Sequence, residues 1–323
     1  MSEIILDIKK ISVNFNKMFF GRSQTIKAID NVSLQIFNSE TFGIVGESGS
    51  GKSTLGNAMI GLQTITSGEI FYKEIALPLS GTKDWVRLRR QLQIIFQDPF
   101  TSLNPRRTIG QSLAEPIITH NLCSKNDVTS KVLSLLDQVG LNSNMAERYP
   151  NAFSGGQLQR ICIARALAAQ PQLIICDEIT SALDVSTQAQ IISLLKDLKL
   201  KQDLSLVFIS HDLGLVRNIA DRILVMYLGR IVEIGSSDII FSNPKHPYTQ
   251  ALINAAPIPE PSREAARIKT PLFGEIPDPQ NPPSGCFFRT RCNQVHDRCL
   301  VETPELKQVK QGQFVSCHNT EAH

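Results

Sequence analysis

The sequence contains no run of apolar residues near the 18 or so that a membrane-crossing helix needs, so no spanning segment is expected. Its beginning, MSEIILDIKK, lacks the basic-then-apolar layout of a secretory signal, and the chain is expected to stay in the cytosol. An excess of one charge is also missing. Lys and Arg number 33 against 30 Asp and Glu, and a net charge of +3 is too small for a dedicated nucleic-acid binder. Cysteine is sparse: seven in 323 residues is not disulfide density, and a cytosolic address argues against structural disulfides. No internal repeat with a period of about 20 to 50 residues is visible. The composition itself is ordinary, with 42% apolar and 20% charged residues, which excludes wholesale disorder and fibrous repeats. The length suggests about two domains with ample chain to bury a core.

The hydrophobic pattern places strands at Ile4 to Phe15 and Ala28 to Ile36, with Lys17 to Thr25 as a polar loop between them. Glu40 to Gly46 reads as a short buried strand that ends in a Gly/Ser-rich turn, and Lys52 to Gly61 has helical composition. Val128, Val132, Leu135 and Leu136 recur at helical spacing, and a second helical run covers Gly156 to Ala169. Gln172 to Cys176 and Leu206 to Ile209 read as fully buried strands. The alternation of helix and strand through Ile231 argues for an α/β core with a helical insertion at roughly 98 to 158. Ten prolines then fall between 244 and 283, too many for helix interiors or central strands. Residues 241 to 323 are expected to form an extended appendage, wrapped on the core or docked to a partner, that ends in a small cysteine-bearing knot.

The strongest chemical signal is Gly46-Glu-Ser-Gly-Ser-Gly51-Lys52-Ser53, a full match to G-x-x-x-x-G-K-[ST] between a strand and a helix. Glycines let successive backbone N–H groups point at phosphate oxygens, Lys52 reaches the β and γ phosphates, and the Ser53 hydroxyl can ligate Mg²⁺. At a second strand end, Asp177 would position Mg²⁺ and Glu178 would act as the general base that polarises water. Phe153-Ser-Gly-Gly-Gln157 is Gly-rich at a helix start and could bind an anion or be only a turn. Gln97 and His211 follow apolar runs and, taken alone, say little.

The ordered set GESGSGKST, IIFQDP, FSGGQLQR, LIICDE, SALD and ISHD resembles the complete signature of an ATP-binding cassette (ABC) protein over residues 1 to about 240. The stretches NPKHPYTQAL (243 to 252) and GEIP with NPPSGCFFRTRC (274 to 292) resemble the C-terminal region of oligopeptide and dipeptide permease ATPases of the F type. The resemblance implies an α/β fold: a P-loop NTPase, RecA-like core with an antiparallel β subdomain, an inserted helical subdomain and the Pro-rich extension. It implies an ATPase coupled to import of oligopeptides or dipeptides, peripheral on the cytoplasmic face of the cytoplasmic membrane. A nickel or glycoside importer and, from a different class, a nucleic-acid-linked ABC ATPase stay open as alternatives.

By the same resemblance, two cassettes pair head to tail with ATP between the phosphate loop of one and the signature of the other. Gly46, Ser48, Gly49, Ser50, Gly51, Lys52, Ser53, Thr54, Gln97, Asp177, Glu178 and His211 would serve one nucleotide, with His211 touching the γ-phosphate and Gln97 the metal and water. Ser154, Gly155, Gly156 and Gln157 would serve the partner's nucleotide, and Ser181 to Asp184 would link the two sites. Phe15 is the candidate for stacking on adenine, against Phe19 and Phe20 as rivals and core packing as the other reading. The implied partners are a second ATPase of the D type, two membrane-spanning permease subunits and an extracytoplasmic peptide-binding protein, with no nucleic acid. Many cassettes have Pro after the Asp-Glu pair where this chain has Ile179, so the turn after Glu178 is expected to be altered. Cys286, Cys292, Cys299 and Cys317 suit a [4Fe–4S] cluster, with zinc and unmetallated thiols as alternatives, and Arg289, Arg291 and Arg298 would offset its charge. Cys123, Cys162 and Cys176 read as packing residues.

Overall fold

The computed structural model describes residues 3–19, 22–78, 82–255 and 274–320, and the chain divides into two compact units. The first joins residues 1–77 to 208–323, and the second spans 78–207.

In the first unit, strands Ile4–Phe19 and Arg22–Phe37 pair antiparallel, and Ser67–Tyr72 and Ile75–Ala76 extend the sheet on the side of Ile4–Phe19. Ile5, Leu6, Ile8, Ile11, Val13 and Ile29 are fully buried, and register shifts between Ile4 and Leu6 and between Ile8 and Ile11 break strict alternation along the strand. The expected loop at Lys17 to Thr25 is corrected: Lys17 pairs with Gln24, Met18 with Ser23 and Phe19 with Arg22. The ladder satisfies the backbone there whatever the side chains, so polar composition alone does not end a hairpin. A second group of strands is built on Thr41–Val45, where all five residues are buried and which pairs parallel with Arg222–Tyr227. That continuous apolar run is the pattern of a strand covered on both faces. Arg230–Ser236 follows antiparallel, and Gln313–Val315 and Lys307–Lys310 close the edge.

These last two strands lay the tail on the sheet edge, as a wrapped appendage would, but in regular elements and not as an extended chain. The described residues after 236 include helices Ser237–Ser242, Pro247–Ala255 and Asp297–Val301 and the edge hairpin 307–315. Proline does not prevent it, because Pro247 stands at the first helical position, where its missing N–H costs nothing. The prolines at 257, 259, 261 and 271 lie outside the described residues. Glu233, fully buried on Arg230–Ser236, anchors this region. Its carboxylate accepts from the backbone N–H groups of Lys245 and His246, both at 2.9 Å, and from Gln313 Nε2 at 2.8 Å.

In the second unit, Leu92–Ile95 pairs parallel with Leu173–Asp177. Helices Lys83–Gln91, Ile109–Thr119, Val128–Gln138, Gly155–Ala168 and Val185–Gln202 supply most of the rest. Val128–Gln138 buries Val132, Leu135 and Leu136, three of the residues that the spacing picked out. Gly155–Ala168 is buried around most of its circumference, from Leu158 to Ala168, as expected for a core helix. The strand Ser205–Ser210, all of it buried, runs across the boundary between the units.

Candidate nucleotide site

The phosphate loop belongs to the first unit. The strand Thr41–Val45 ends at Gly46, and the helix Lys52–Met59 begins at Gly51, which has φ 100° and no side-chain hydrogen bond capping the helix. Only glycine fits there, since a Cβ at Gly51 would stand 2.4 Å from the Ala28 carbonyl oxygen. Between these glycines the loop is held by its own atoms. Lys52 Nζ donates to the carbonyls of Gly46 at 2.8 Å and Glu47 at 2.9 Å, and Lys52 is buried. The Ser50 carbonyl accepts from the Gly229 N–H at 2.9 Å. Ser50 Oγ is buried without a hydrogen-bond partner, so it has capacity for a bond from outside the chain. Ser48, Gly49 and Ser53 are exposed, and Thr54 is half-buried.

Elsewhere in this unit, Phe15 is 37% exposed on Ile4–Phe19, so core packing does not consume its ring. The Phe19 side chain and Phe20 lie outside the described residues. His211 is exposed between the strand Ser205–Ser210 and the helix Leu213–Ile219. Its neighbour Asp212 caps that helix, accepting from the N–H groups of Gly214 at 2.7 Å and Leu215 at 3.2 Å.

In the second unit, Leu173–Asp177 delivers Asp177, buried, and then Glu178 in the left-handed region at φ 48°. A non-glycine residue there carries on the order of 1–3 kcal/mol of strain, which the surrounding turn must hold. Two bonds do so: the Glu178 carbonyl accepts from Ser181 N at 3.1 Å and from Ser181 Oγ at 2.9 Å. Ile179, the departure from Pro, is 1% exposed and anchors the turn by burial instead of by a ring-locked φ. Gln97 Nε2 donates to Ser181 Oγ at 3.3 Å, so the structure brings Gln97, Ser181 and Glu178 together.

Ser154 caps the helix Gly155–Ala168 in a reciprocal pair with Gln157. Gln157 N–H donates to Ser154 Oγ at 3.4 Å, and Ser154 N–H donates to Gln157 Oε1 at 3.1 Å. A Cβ at Gly156 would approach Thr187 Cγ2 at 2.6 Å, so that glycine serves close packing in this state. Asp184 caps the helix Val185–Gln202. Bonds from Ser186 Oγ and from Thr187 N and Oγ1 hold its carboxyl well below the usual range.

The four C-terminal cysteines come together in the first unit. They are neighbours that feel one another's charge, and burial pushes the thiols of Cys286 and Cys292 up, and that of Cys317 to about 11. Among the described residues, no group of three or more His, Cys, Asp or Glu side chains is arranged to hold a metal ion. The arginines expected to offset cluster charge are engaged elsewhere. Arg289 donates to Ser284, Arg298 pairs with Glu302 at 2.6 Å, and Arg291 pairs with Glu47 at 2.6 Å. Cys162 and Cys176 are buried, with thiols pushed to about 11 and about 12 mainly by desolvation, as packing residues should be, while Cys123 is half-buried.

Residues 29–181 match the family model described as ABC transporter. The oligopeptide transport ATP-binding protein OppF of Haemophilus influenzae is 47% identical over 321 residues, covering 98% of this chain and 97% of its own. The chain belongs to the ABC transporter family. In this ABC transporter protein, residues 232–299 also match the model described as oligopeptide/dipeptide transporter, C-terminal region. The dipeptide transport ATP-binding protein DppF of Haemophilus influenzae is 46% identical over 301 residues, 93% of this chain and 91% of its own. The solved dimeric structure of MJ0796, a bacterial ABC transporter cassette, matches with a TM-score of 0.64 at 31% identity, over 72% of this chain and 98% of that one. ABC transporter ATPases use ATP with Mg²⁺. The Ser53 hydroxyl in the first unit, and the Gln97 amide and Asp177 carboxylate in the second, are each oxygen donors of the hard type that this ion takes. No helix among the described residues is long and apolar enough to cross a membrane.

Glu47, Tyr248 and the pairing of Arg291 with Glu47 were not legible in the sequence. The loop motif treats Glu47 as a free position, and Arg291 lies 244 residues away.

Proposed function

We propose that this chain is the ATP-hydrolysing subunit of an importer that energises uptake of oligopeptides or dipeptides, held peripherally on the cytoplasmic face of the membrane. The observation that carries this reading is similarity along nearly the whole chain, cassette and C-terminal region together, to oligopeptide transport ATP-binding proteins. The working cassette is residues 1–240, with the helical subdomain at about 98–158 receiving the membrane subunits, and 241–323 is the permease-type extension.

The loop N–H groups from Ser48 to Thr54 cradle the phosphates, and Lys52 exchanges its two carbonyl acceptors for β and γ oxygens. Ser53, Gln97 and Asp177 would hold Mg²⁺, which would supply positive charge to offset that of the phosphates. Glu178 takes a proton from the attacking water, Gln97 orients that water, and His211 contacts the γ-phosphate. Phe15 stacks on adenine. Ser154, Gly155, Gly156 and Gln157 serve the nucleotide of a second ATPase subunit of the D type, and Asp184 links the two sites. ATP touches both subunits only in the closed dimer, so binding favours closure and hydrolysis releases it. Two membrane-spanning permease subunits and an extracytoplasmic peptide-binding protein complete the importer. No step is assigned to an iron–sulfur cluster.

The test is ATPase turnover of the complex reconstituted with its membrane subunits and binding protein. Peptide-loaded binding protein should stimulate turnover, and Glu178→Gln should lower it by about 100-fold or more while ATP still binds. Turnover indifferent to Glu178→Gln would move hydrolysis to the partner subunit, and stimulation by nickel or glycosides alone would replace the substrate class.

A further inference from the structure

Glu47 is the first variable residue of the phosphate loop, and all three of its polar groups are engaged. Its carbonyl accepts from Lys52 Nζ at 2.9 Å, within the loop. Its N–H donates to the Tyr248 hydroxyl at 2.9 Å, and its carboxylate takes a two-pronged bond from Arg291, Nη1 to Oε2 at 2.6 Å and Nη2 to Oε1 at 3.0 Å. Two of the three partners therefore come from the C-terminal extension, 201 and 244 residues along the chain. Both are fixed. Tyr248 is fully buried, its ring 4.8 Å from Tyr227 and 5.4 Å from Phe288 between centroids, and its own N–H donates to His246 Nδ1 at 3.0 Å. The Arg291 side chain is 4% exposed, while that of Glu47 is 23% exposed. Arg291 sits on the tight turn that starts at Cys286, where Arg289 N–H donates to the Cys286 carbonyl and Arg291 N–H to that of Phe288.

We propose that Arg291 and Tyr248 are positioning residues for ATP: the extension clamps Glu47, sets the curl of the phosphate loop and neutralises a carboxylate that would otherwise repel the incoming phosphates. A planar guanidinium meeting a carboxylate through two parallel bonds fixes direction as well as charge. The carboxylate lies one residue from Gly46 and shares its peptide with the Lys52 contact, so releasing it changes both the local charge and the backbone that aims the lysine. Losing Arg291 leaves this negative charge partly buried and unpaired beside a polyanion, which costs more than losing the pair together. The inference rests on the reading of residues 46–53 as the phosphate site.

The test measures binding of a fluorescent ATP analogue and steady-state KM and kcat on the full chain in its complex. Arg291→Gln should raise Kd and KM about tenfold with kcat within about twofold, and Arg291→Lys should fall between it and wild type. Glu47→Gln combined with Arg291→Gln should return Kd to within about threefold of wild type, because the unpaired carboxylate is gone. Tyr248→Phe should raise Kd by about threefold through loss of one backbone anchor. A lowered Tm for Arg291→Gln with unchanged Kd and KM overturns the proposal, and so does a double variant as weak as Arg291→Gln. Lys52→Ala, run in parallel, separates the two failures. If it binds ATP like wild type, the phosphate-site reading falls; if it loses binding while Arg291→Gln does not, only the clamp falls.

Discussion

The helix Lys52–Met59 starts at Gly51 with no side-chain cap, whereas Gly155–Ala168 starts at Ser154, whose hydroxyl and the Gln157 amide close a capping box. Both starts are Gly-rich, and both are assigned to nucleotide. Every helix leaves its first four N–H groups without partners in its own ladder, and the two starts answer that need in opposite ways. At Ser154 the chain answers with its own side chains, so the helix start is stable alone but must surrender bonds to accept a phosphate. At Gly51 no side chain caps the helix, and the loop is propped from elsewhere, by Tyr248 and Arg291 at Glu47 and by Gly229 at Ser50. The uncapped start proposed for phosphate leans on external support, supplied largely by the C-terminal extension.

The most damaging way to break the open start is Gly51→Ala. The new Cβ would meet the Ala28 carbonyl at 2.4 Å, in a backbone conformation at φ 100° that alanine resists. Overpacking and strain together should cost about 3 kcal/mol in chemical denaturation and remove measurable binding of an ATP analogue. Wild-type stability and affinity in that variant would mean that the loop does not need its observed curl.

The open start was legible because its residues are contiguous and its chemistry requires particular types, glycine for the curl and lysine for the charge. The buried strands Thr41–Val45 and Leu173–Asp177 were legible from unbroken apolar runs. The props were not. Tyr248 and Arg291 reach Glu47 across more than 200 residues, and no local pattern encodes such a meeting. Polar Lys17 to Thr25 was misread because composition reports side chains, while the ladder of 17–19 with 22–24 is a backbone structure, as is the edge hairpin 307–315 that follows the prolines. Arg291 was read as a partner of the cysteines by proximity in sequence, yet its partner is an acid far away in the chain.

Acid should loosen the external prop before it touches the internal cap. His246 is buried, its ring 5.7 Å from Phe288, its Nδ1 accepts from Tyr248 N–H, and the charged group bound to its backbone is Glu233. Desolvation pushes its pKa from 6.5 down to about 3. The unfolded chain therefore takes up a proton below pH 6.5 that the folded chain refuses until about pH 3. Stability from this group is complete above the upper value and falls with acidification, by about 1.4 kcal/mol per pH unit once well below it. Denaturation curves at a series of pH values should show this slope in wild type and a shallower one in His246→Gln. Equal slopes would assign the acid sensitivity to other groups.

The smallest expected effect separates the two jobs of Ser154. Removing the hydroxyl with Ser154→Ala should cost about 1 kcal/mol, because an N-cap oxygen is lost, while Ser154→Gly should cost only a few tenths, since glycine tolerates the cap geometry. If the hydroxyl is also lent to the partner's nucleotide, the two variants part company in stability but not in function. Both should then weaken ATP-driven pairing of the two ATPase subunits, read by analytical ultracentrifugation with Glu178→Gln as background to hold ATP. Pairing that follows stability, lost in Ser154→Ala and kept in Ser154→Gly, would make Ser154 a cap and nothing more. The signature would then act through the N–H groups of Gly155 and Gly156, and the two helix starts would differ only in how they are held, not in what they offer to phosphate.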